Sequence, residues 1–400
     1  MGAPAGLLLF GATGFTGRRV ARRLAQRAPA GLELIWCGRD REKLEGLARE
    51  LGRGRVAVAE AGDRAALGRA LADVRVVLST AGPFARIGDA LVDACVEAGR
   101  HYADISGEVA WVRRLIERHH AAARERGLFL VPCCGFDSVP ADLGVLALVE
   151  EARRRGLGDL ASIWGVYRLR GGVNGGSWAT FVELSRREDP RLLADPYLLV
   201  PGYRPSEAEL RLQADPRRAE REPGSGTALV PFFMGPINRR VVMRSDALIG
   251  YGAALCYREY QALEGAGPLA AELAGGALRW LSRALSSSLG ERLARRYGPL
   301  PGQGPDERTI EHGRVRFDLY ATAVDGQRLS LRFEANGDPG NAVTSRCLVE
   351  CGLLLAEPGA IPGLDQPGKG GLLTPASAFG LPLLTRLANQ GDFALSFKPA

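Results

Sequence analysis

No stretch of this 400-residue chain reaches the roughly 18 to 20 consecutive apolar residues that crossing a bilayer requires, so a protein that does not span a membrane is expected. The opening MGAPAGLLLFGATG has no basic segment, and its apolar run of about five residues is too short for a secretion signal; it reads as a first strand. Cysteine is sparse. The seven residues Cys37, Cys95, Cys133, Cys134, Cys256, Cys347 and Cys351 are odd in number, scattered mostly through apolar runs, and form no CxxC pair. That argues against a disulfide framework and for buried thiols in a reducing, cytoplasmic setting. The four histidines are not at metal-ligand spacing near any cysteine pair, so no metal site is expected. There is no GxSxG elbow to support nucleophilic hydrolysis, no internal repeat and no low-complexity tail.

What is present is an ordinary globular composition, 46% apolar and 24% charged, over a length that accommodates two domains. The 52 Lys and Arg against 45 Asp and Glu leave a net charge of +7, which suits a phosphate-bearing cofactor or an anionic surface. It is weak grounds for nucleic acid, and no such partner is expected.

Through the first third, short apolar runs alternate with amphipathic helical patterns. GLLLF, LELIWC, RVAVAE, VRVVLST, HYADI and LFLVPCC read as strands apolar on both faces, with helices between them. This is the α/β pattern of a doubly wound parallel sheet, a Rossmann domain over residues 1–140. After GFDSVPADLG, where Ser138 is placed to cap a helix with Pro140 in its first turn, the rhythm changes. DLASIWGVYRLRG alternates like a half-buried strand, 178–187 looks helical, and VRFDLYATAV and QRLSLRFEA flank the turn dipeptide Asp325-Gly326. Residues 141–338 therefore predict a second, α+β domain with a mixed or antiparallel sheet. Residues 339–400, with helices near 341–356 and 376–388, are expected to pack back on the Rossmann domain.

LLLFGATGFTGRRVARRL places GxxGxxG between a strand and a helix, the context that makes this motif a dinucleotide site. Gly11 permits the tight turn, Gly14 lets backbone amides approach the pyrophosphate, and Gly17 allows close helix–strand packing, while Thr13 and Thr16 offer hydroxyls. The second strand ends in Cys37-Gly38-Arg39-Asp40. A guanidinium at Arg39 suits a 2′-phosphate, favouring NADP over NAD, and Asp40 reads as the N-cap of the next helix. Thr80, Ala81, Gly82 and Pro83, after the fourth strand, are expected to border the nicotinamide half.

Hydride transfer needs a proton donor or polariser nearby. Tyr102, Asp104, Ser106 and Glu108 follow the fifth strand, and Asp137 and Ser138 the sixth; Tyr102, Asp104 and Asp137 are the candidate catalytic residues. For Asp104, Ser106 and Glu108 the competing role is to turn and cap the following helix. Vicinal Cys133 and Cys134 read as apolar fillers. Over 268–297, leucines with Trp280 share a face opposite Arg279, Arg283, Arg292, Arg295 and Arg296, the pattern of a helix lying on a membrane surface or docked on its own domain.

FGATGFTGRRVARRL, AGPFARIGDALVDACVEAGRHYADISGE, CCGFDSVPADLG, PINRRVVMRS, FEANGDPGNAVTSRCLVE and GGLLTPASAFG together resemble the saccharopine dehydrogenase-like oxidoreductases, within them the trans-acting enoyl reductases of complex-lipid assembly. The likeness runs in order along nearly the whole chain. It maps Gly11, Ala12, Thr13, Gly14, Phe15, Thr16, Gly17 and Arg39 to the dinucleotide site. It implies NADPH reduction of a carbon double bond in a lipid-type acyl substrate, a polyketide or fatty-acid synthase partner, and peripheral attachment to the inner face of the plasma membrane. An amino-acid dehydrogenase of saccharopine type and a non-catalytic NADP-binding membrane scaffold are the alternatives. Wide apolar clefts would mark the first, a paired-arginine pocket the second, and an occluded nicotinamide face the third.

Overall fold

The computed structural model describes residues 6–172, 192, 194–216, 218–222, 224–252, 255–267, 272, 273, 275, 276, 287, 292, 304–391 and 393–398. The helix expected at 178–187 and nearly all of the 268–297 segment lie outside them.

The N-terminal part alternates strands and helices: β1 (Gly6–Phe10), α1 (Phe15–Arg27), β2 (Leu34–Gly38), α2 (Arg41–Leu51), β3 (Arg55–Val58), α3 (Arg64–Ala70), β4 (Val74–Ser79), α4 (Phe84–Ala98), β5 (His101–Asp104), α5 (Val109–Glu125) and β6 (Phe129–Val131). Then come α6 (Val139–Arg155), β7 (Leu160–Arg170), α7 (Glu207–Leu212), β8 (Glu220–Arg221), β9 (Ala228–Pro231), α8 (Gly235–Ile249), β10 (Cys256–Leu263), α9 (Glu307–Glu311), β11 (Arg314–Ala323) and β12 (Arg328–Asn336). A π-helical turn (Pro339–Val343) leads into α10 (Thr344–Ala356), β13 (Gly371–Leu372), α11 (Pro375–Ala388) and β14 (Phe393–Lys398).

The first sheet is parallel throughout, in the order β13-β6-β5-β4-β1-β2-β3. Continuous apolar strands are what burial on both faces demands: Leu7 and Leu9 of β1 enter one core, Leu8 and Phe10 the other. β3 departs from that pattern. It is the edge strand, and Arg55 and Val58 are exposed. The opposite edge is closed by β13, which returns from far along the chain as two residues of the Gly-rich stretch after 367. The helix expected at 341–356 begins regularly at Thr344 and packs across β4, β5 and α1. Gly352 makes this close approach possible, because a methyl group there would lie 2.6 Å from Leu78 Cδ1.

The second sheet is mixed, in the order β14-β12-β11-β7-β10-β9-β8. β7 and β10 are parallel neighbours, so the chain between them must cross over, and α8 lies in that crossover. α6 packs on β7, β11 and β12 of this sheet and against α8 and α11, and is buried without interruption from Val139 to Val149, Asp142 included. The β11–β12 hairpin is tied by a three-residue loop, Val324 to Gly326, and not by a two-residue turn. Gly326 takes the positive φ of 86°, while Asp325 accepts the Gln327 N–H through its side chain. The aspartate supplies a hydrogen bond instead of a left-handed backbone.

Candidate cofactor and active site

The glycine loop has the geometry its residues demand. Gly11 turns with φ of 83°, and the Gly14 N–H donates to the Gly11 carbonyl at 3.0 Å. A β-carbon on Gly17 would sit 2.0 Å from that same carbonyl oxygen, so α1 lies directly over the turn. Thr80, following β4, donates its hydroxyl to the carbonyls of Phe10 and Gly11, each at 3.3 Å. α1 starts with no side-chain cap and no acidic residue in its first turn, which leaves its amides and positive end for an anion. Phe15 lies beneath the Arg19 guanidinium at 4.6 Å and packs against Gly304; Arg19 pairs with Glu307 of α9 at 2.5 Å. The second domain thus reaches the loop's outer side.

Arg39, just past β2, is exposed and has no bonding partner among the described residues. Asp40 is committed to the helix end: its carboxylate accepts the Lys43 N–H at 3.1 Å and pairs with Lys43 Nζ at 2.9 Å. Those bonds hold its carboxyl below the usual range. A pyrophosphate cradle followed by a free cation where the ribose would lie fits NADP better than NAD. Replacing Arg39 by alanine is expected to weaken NADPH about 10- to 100-fold while leaving NADH nearly unchanged, which fluorescence titration of both nucleotides reads directly. Equal loss for both would remove Arg39 from the selectivity.

At the same strand edge, Tyr102 and Asp104 are fully buried and bonded to each other, the tyrosine hydroxyl donating to Asp104 Oδ2 at 2.8 Å. Asp104 Oδ1 also accepts Ser106 N, Ser106 Oγ and Cys133 N, knitting the ends of β5 and β6. Burial raises the Tyr102 hydroxyl well above its ordinary value and Asp104 to about 6. Cys133 and Cys134 are buried thiols, with pKa values pushed up by burial. Glu108 does not serve its own helix. Its two oxygens accept the N–H groups of Phe84 and Ala85 at 2.8 and 2.7 Å, so it caps α4 after the Gly82-Pro83 turn that borders the candidate nicotinamide position.

Asp137 follows β6 in the same row of loops and is half-buried. Its carboxyl has no hydrogen bond or ion pair among the described residues, and desolvation raises it to about 6. Ser138 occupies the N-cap position of α6, but its hydroxyl does not cap; it donates to Asn238 Oδ1 at 3.1 Å. Asn238 Nδ2 donates to Glu259 Oε2 at 2.9 Å, and the hydroxyls of Tyr257 and Tyr167 donate to Glu259 Oε1. Burial pushes Glu259 up to about 8, so it is largely a neutral acid at pH 7. Phe136, Phe232 and Phe317 wall this cluster by ring contacts with Tyr167. The cluster escapes a motif search; its one sequence signal is an acid in β10 where an apolar residue belongs, on the side shared with Tyr257.

A doubly wound sheet with this loop, Arg39 beyond the second strand and titratable groups along one carboxyl edge define a NADP-dependent oxidoreductase. Residues 7–131 match the family described as saccharopine dehydrogenase NADP binding domain. A Mycobacterium tuberculosis protein provisionally named a trans-acting enoyl reductase is 37% identical over 409 residues, covering 96% of each chain. The trans-acting enoyl reductase of Mycobacterium ulcerans is 36% identical over 410 residues, again across 96% of both. Among solved structures, apo saccharopine dehydrogenase (L-Glu forming) from Saccharomyces cerevisiae shares the fold, with a TM-score of 0.59 at 15% identity over 98% of this chain and 99% of that one. The chain belongs to the saccharopine dehydrogenase-like oxidoreductases, in the group of the trans-acting enoyl reductases.

Proposed function

We propose that the chain reduces the carbon double bond of a lipid-type enoyl thioester with NADPH, and that Asp137 donates the proton. The observation that carries the proton assignment is the Asp137 carboxyl itself: half-buried, unpaired among the described residues, raised to about 6, and at the carboxyl edge where Rossmann ligands lie. The reaction class rests on the full-length likeness to proteins named trans-acting enoyl reductase.

Bound NADPH supplies the hydride that goes to the β-carbon. The backbone of Gly11 to Gly17 and the start of α1 hold the pyrophosphate, Arg39 holds the 2′-phosphate, and Thr80 to Pro83 border the nicotinamide half. The electron pair of the double bond shifts toward the thioester carbonyl, and Asp137 passes its proton to the α-carbon. Tyr102 and Asp104 act as positioning residues, fixing the ends of β5 and β6 beside that acid. A substrate presented on a carrier calls for a separate synthase, of the polyketide or fatty-acid kind, consistent with the relatives' name. The 268–297 segment supplies the contact with a membrane surface. Among the described residues no helix is long and apolar enough to cross a membrane.

The amino-acid alternative calls for a paired-arginine pocket at the loops after β4, β5 and β6; the opposed pair Arg170 and Arg314 lies in a groove that none of those loops lines. NADPH oxidation screened against enoyl thioesters and against saccharopine-type imines separates the readings. Turnover of an enoyl thioester is expected. Turnover of imines alone would overturn the proposal, and silence across both with tight NADPH binding would leave a binding scaffold.

A further inference from the structure

The second sheet carries a groove of about 670 Å³ over the ends of β7, β11, β12 and β14, with Arg168, Arg170, Arg314 and Arg316 in its lining. Two rungs of the ladder, separated by the Leu169–Val315 pair, contrast within it. On one, Arg168 pairs with Glu222, Glu264 and Asp318, while its neighbour Arg316 donates to Asp318 at 2.7 Å. Arg332 of β12 completes that network on Asp318 at 2.5 Å. Two rungs on, Arg170 and Arg314 stand directly opposite each other, both exposed and without a carboxylate partner among the described residues.

Like charges opposed across an antiparallel pair destabilise it, and the chain supplies counter-charges generously two rungs away, around Arg168 and Arg316. The lining does hold two carboxylates. Glu264 is bonded to Arg168, and Glu334 stands opposite Arg316; neither is bonded to Arg170 or Arg314. An unrelieved local conflict of this kind marks a place where a ligand completes the charge balance.

The groove borders the cofactor domain without entering the nicotinamide region. Its Gly391 adjoins Gln390, which accepts a hydrogen bond from Arg23 of α1. Two residues beyond Arg170, a methyl group on Gly172 would meet Pro305 at 2.7 Å, and the adjoining Gly304 lies against Phe15 of the glycine loop. None of residues 80–83, 104–108 or 133–138 lines it. An amino-acid substrate anchored here would hold its reacting atom away from those loops. A long flexible arm with an anionic end would not.

We propose that Arg170 and Arg314 bind the phosphate of the pantetheine arm that carries the thioester substrate. The proposal rests on the enoyl-thioester reading and names the anchor for its carrier. Two guanidiniums carried on facing rungs of neighbouring strands suit a phosphate that remains solvated at the mouth of an open groove. Free coenzyme A and a carrier protein's prosthetic arm share this chemistry.

The test compares wild type with an Arg170→Ala/Arg314→Ala double variant. Coenzyme A binding is measured by calorimetry at low and high salt, and NADPH binding by fluorescence. The expected results are coenzyme A affinity at least about tenfold weaker in the variant, a wild-type affinity that falls with salt, unchanged NADPH affinity, and a melting temperature equal or higher because a repulsion is gone. A lysine-for-arginine double variant, retaining charge, recovers part of the binding.

Equal coenzyme A affinity in wild type and the alanine variant would overturn the assignment. So would parallel loss of NADPH, which would make the arginines part of the cofactor site, or preferential loss of a dicarboxylate such as glutamate. Dephosphorylated pantetheine that binds as well as coenzyme A would overturn it too. Loss of binding to a pantetheinylated carrier protein but not to its unmodified form would locate the phosphate on a carrier. Failure of the enzyme to reduce any enoyl thioester, with the arginine-dependent coenzyme A binding intact, would sink the reaction and leave the anchor standing.

Discussion

Replacing Gly17 by alanine is expected to lower NADPH affinity at least about a hundredfold, with the fold retained at a lower melting temperature. The added carbon would lie 2.0 Å from the Gly11 carbonyl oxygen, 2.9 Å from its carbon and 3.0 Å from Thr80 Oγ1. None of these can yield cheaply. The Gly11 carbonyl already accepts from Gly14 N and Thr80 Oγ1, and its residue is held in a left-handed turn. The start of α1 must therefore lift, and the amides that would meet the pyrophosphate lift with it. A displacement near 1 Å at such a site costs on the order of a hundredfold. Fluorescence titration with NADPH, alongside thermal unfolding with and without nucleotide, reads both effects. Near-native affinity in the variant would mean that α1 does not contact the cofactor as the loop geometry requires.

Asp137→Asn is expected to reduce turnover by roughly 10²- to 10⁴-fold while leaving NADPH affinity intact. Burial raises this carboxyl to about 6, so it keeps its proton below that pH and loses it above. For a proton donor the sign follows directly: wild-type kcat/KM falls as pH rises through about 6, and the asparagine variant, which cannot titrate, loses that limb. A merely structural role would lower the rate without removing the limb. Persistence of the limb in the variant would assign it to another group, with Asp104, also near 6, the first to examine.

Both predictions draw on residues whose importance is visible in the chain to different degrees. Gly11, Gly14 and Gly17 stand out because a strand precedes them and a helix follows, and each spacing corresponds to one steric requirement. Asp40 and Arg39 are separable for a similar reason: an aspartate just before a helical run satisfies nearby amides, while an arginine there has nothing local to bond. Such features act within a few residues, where backbone sterics and capping operate. Glu108 shows the limit of that reasoning. It sits where a first-turn acid would serve its own helix, yet it caps α4, its two oxygens accepting the otherwise orphan amides of Phe84 and Ala85. Ser138 likewise stands at a cap position and turns its hydroxyl to Asn238.

The sequence by itself therefore determined the parallel sheet, the nucleotide loop, the NADP preference to be tested at Arg39, and the mixed second sheet, because periodicity and turn chemistry are local and repeat along the chain. Tertiary structure alone decided that β13 closes the first sheet from 240 residues beyond β6. It also decided that Glu259 meets Ser138 through Asn238, and that Arg170 stands opposite Arg314 without a counter-charge. The physical reason is common to all three. Burial and strand register bring distant residues together, and neither a buried acid's neighbours nor the partner across a ladder is written in the residues next to it.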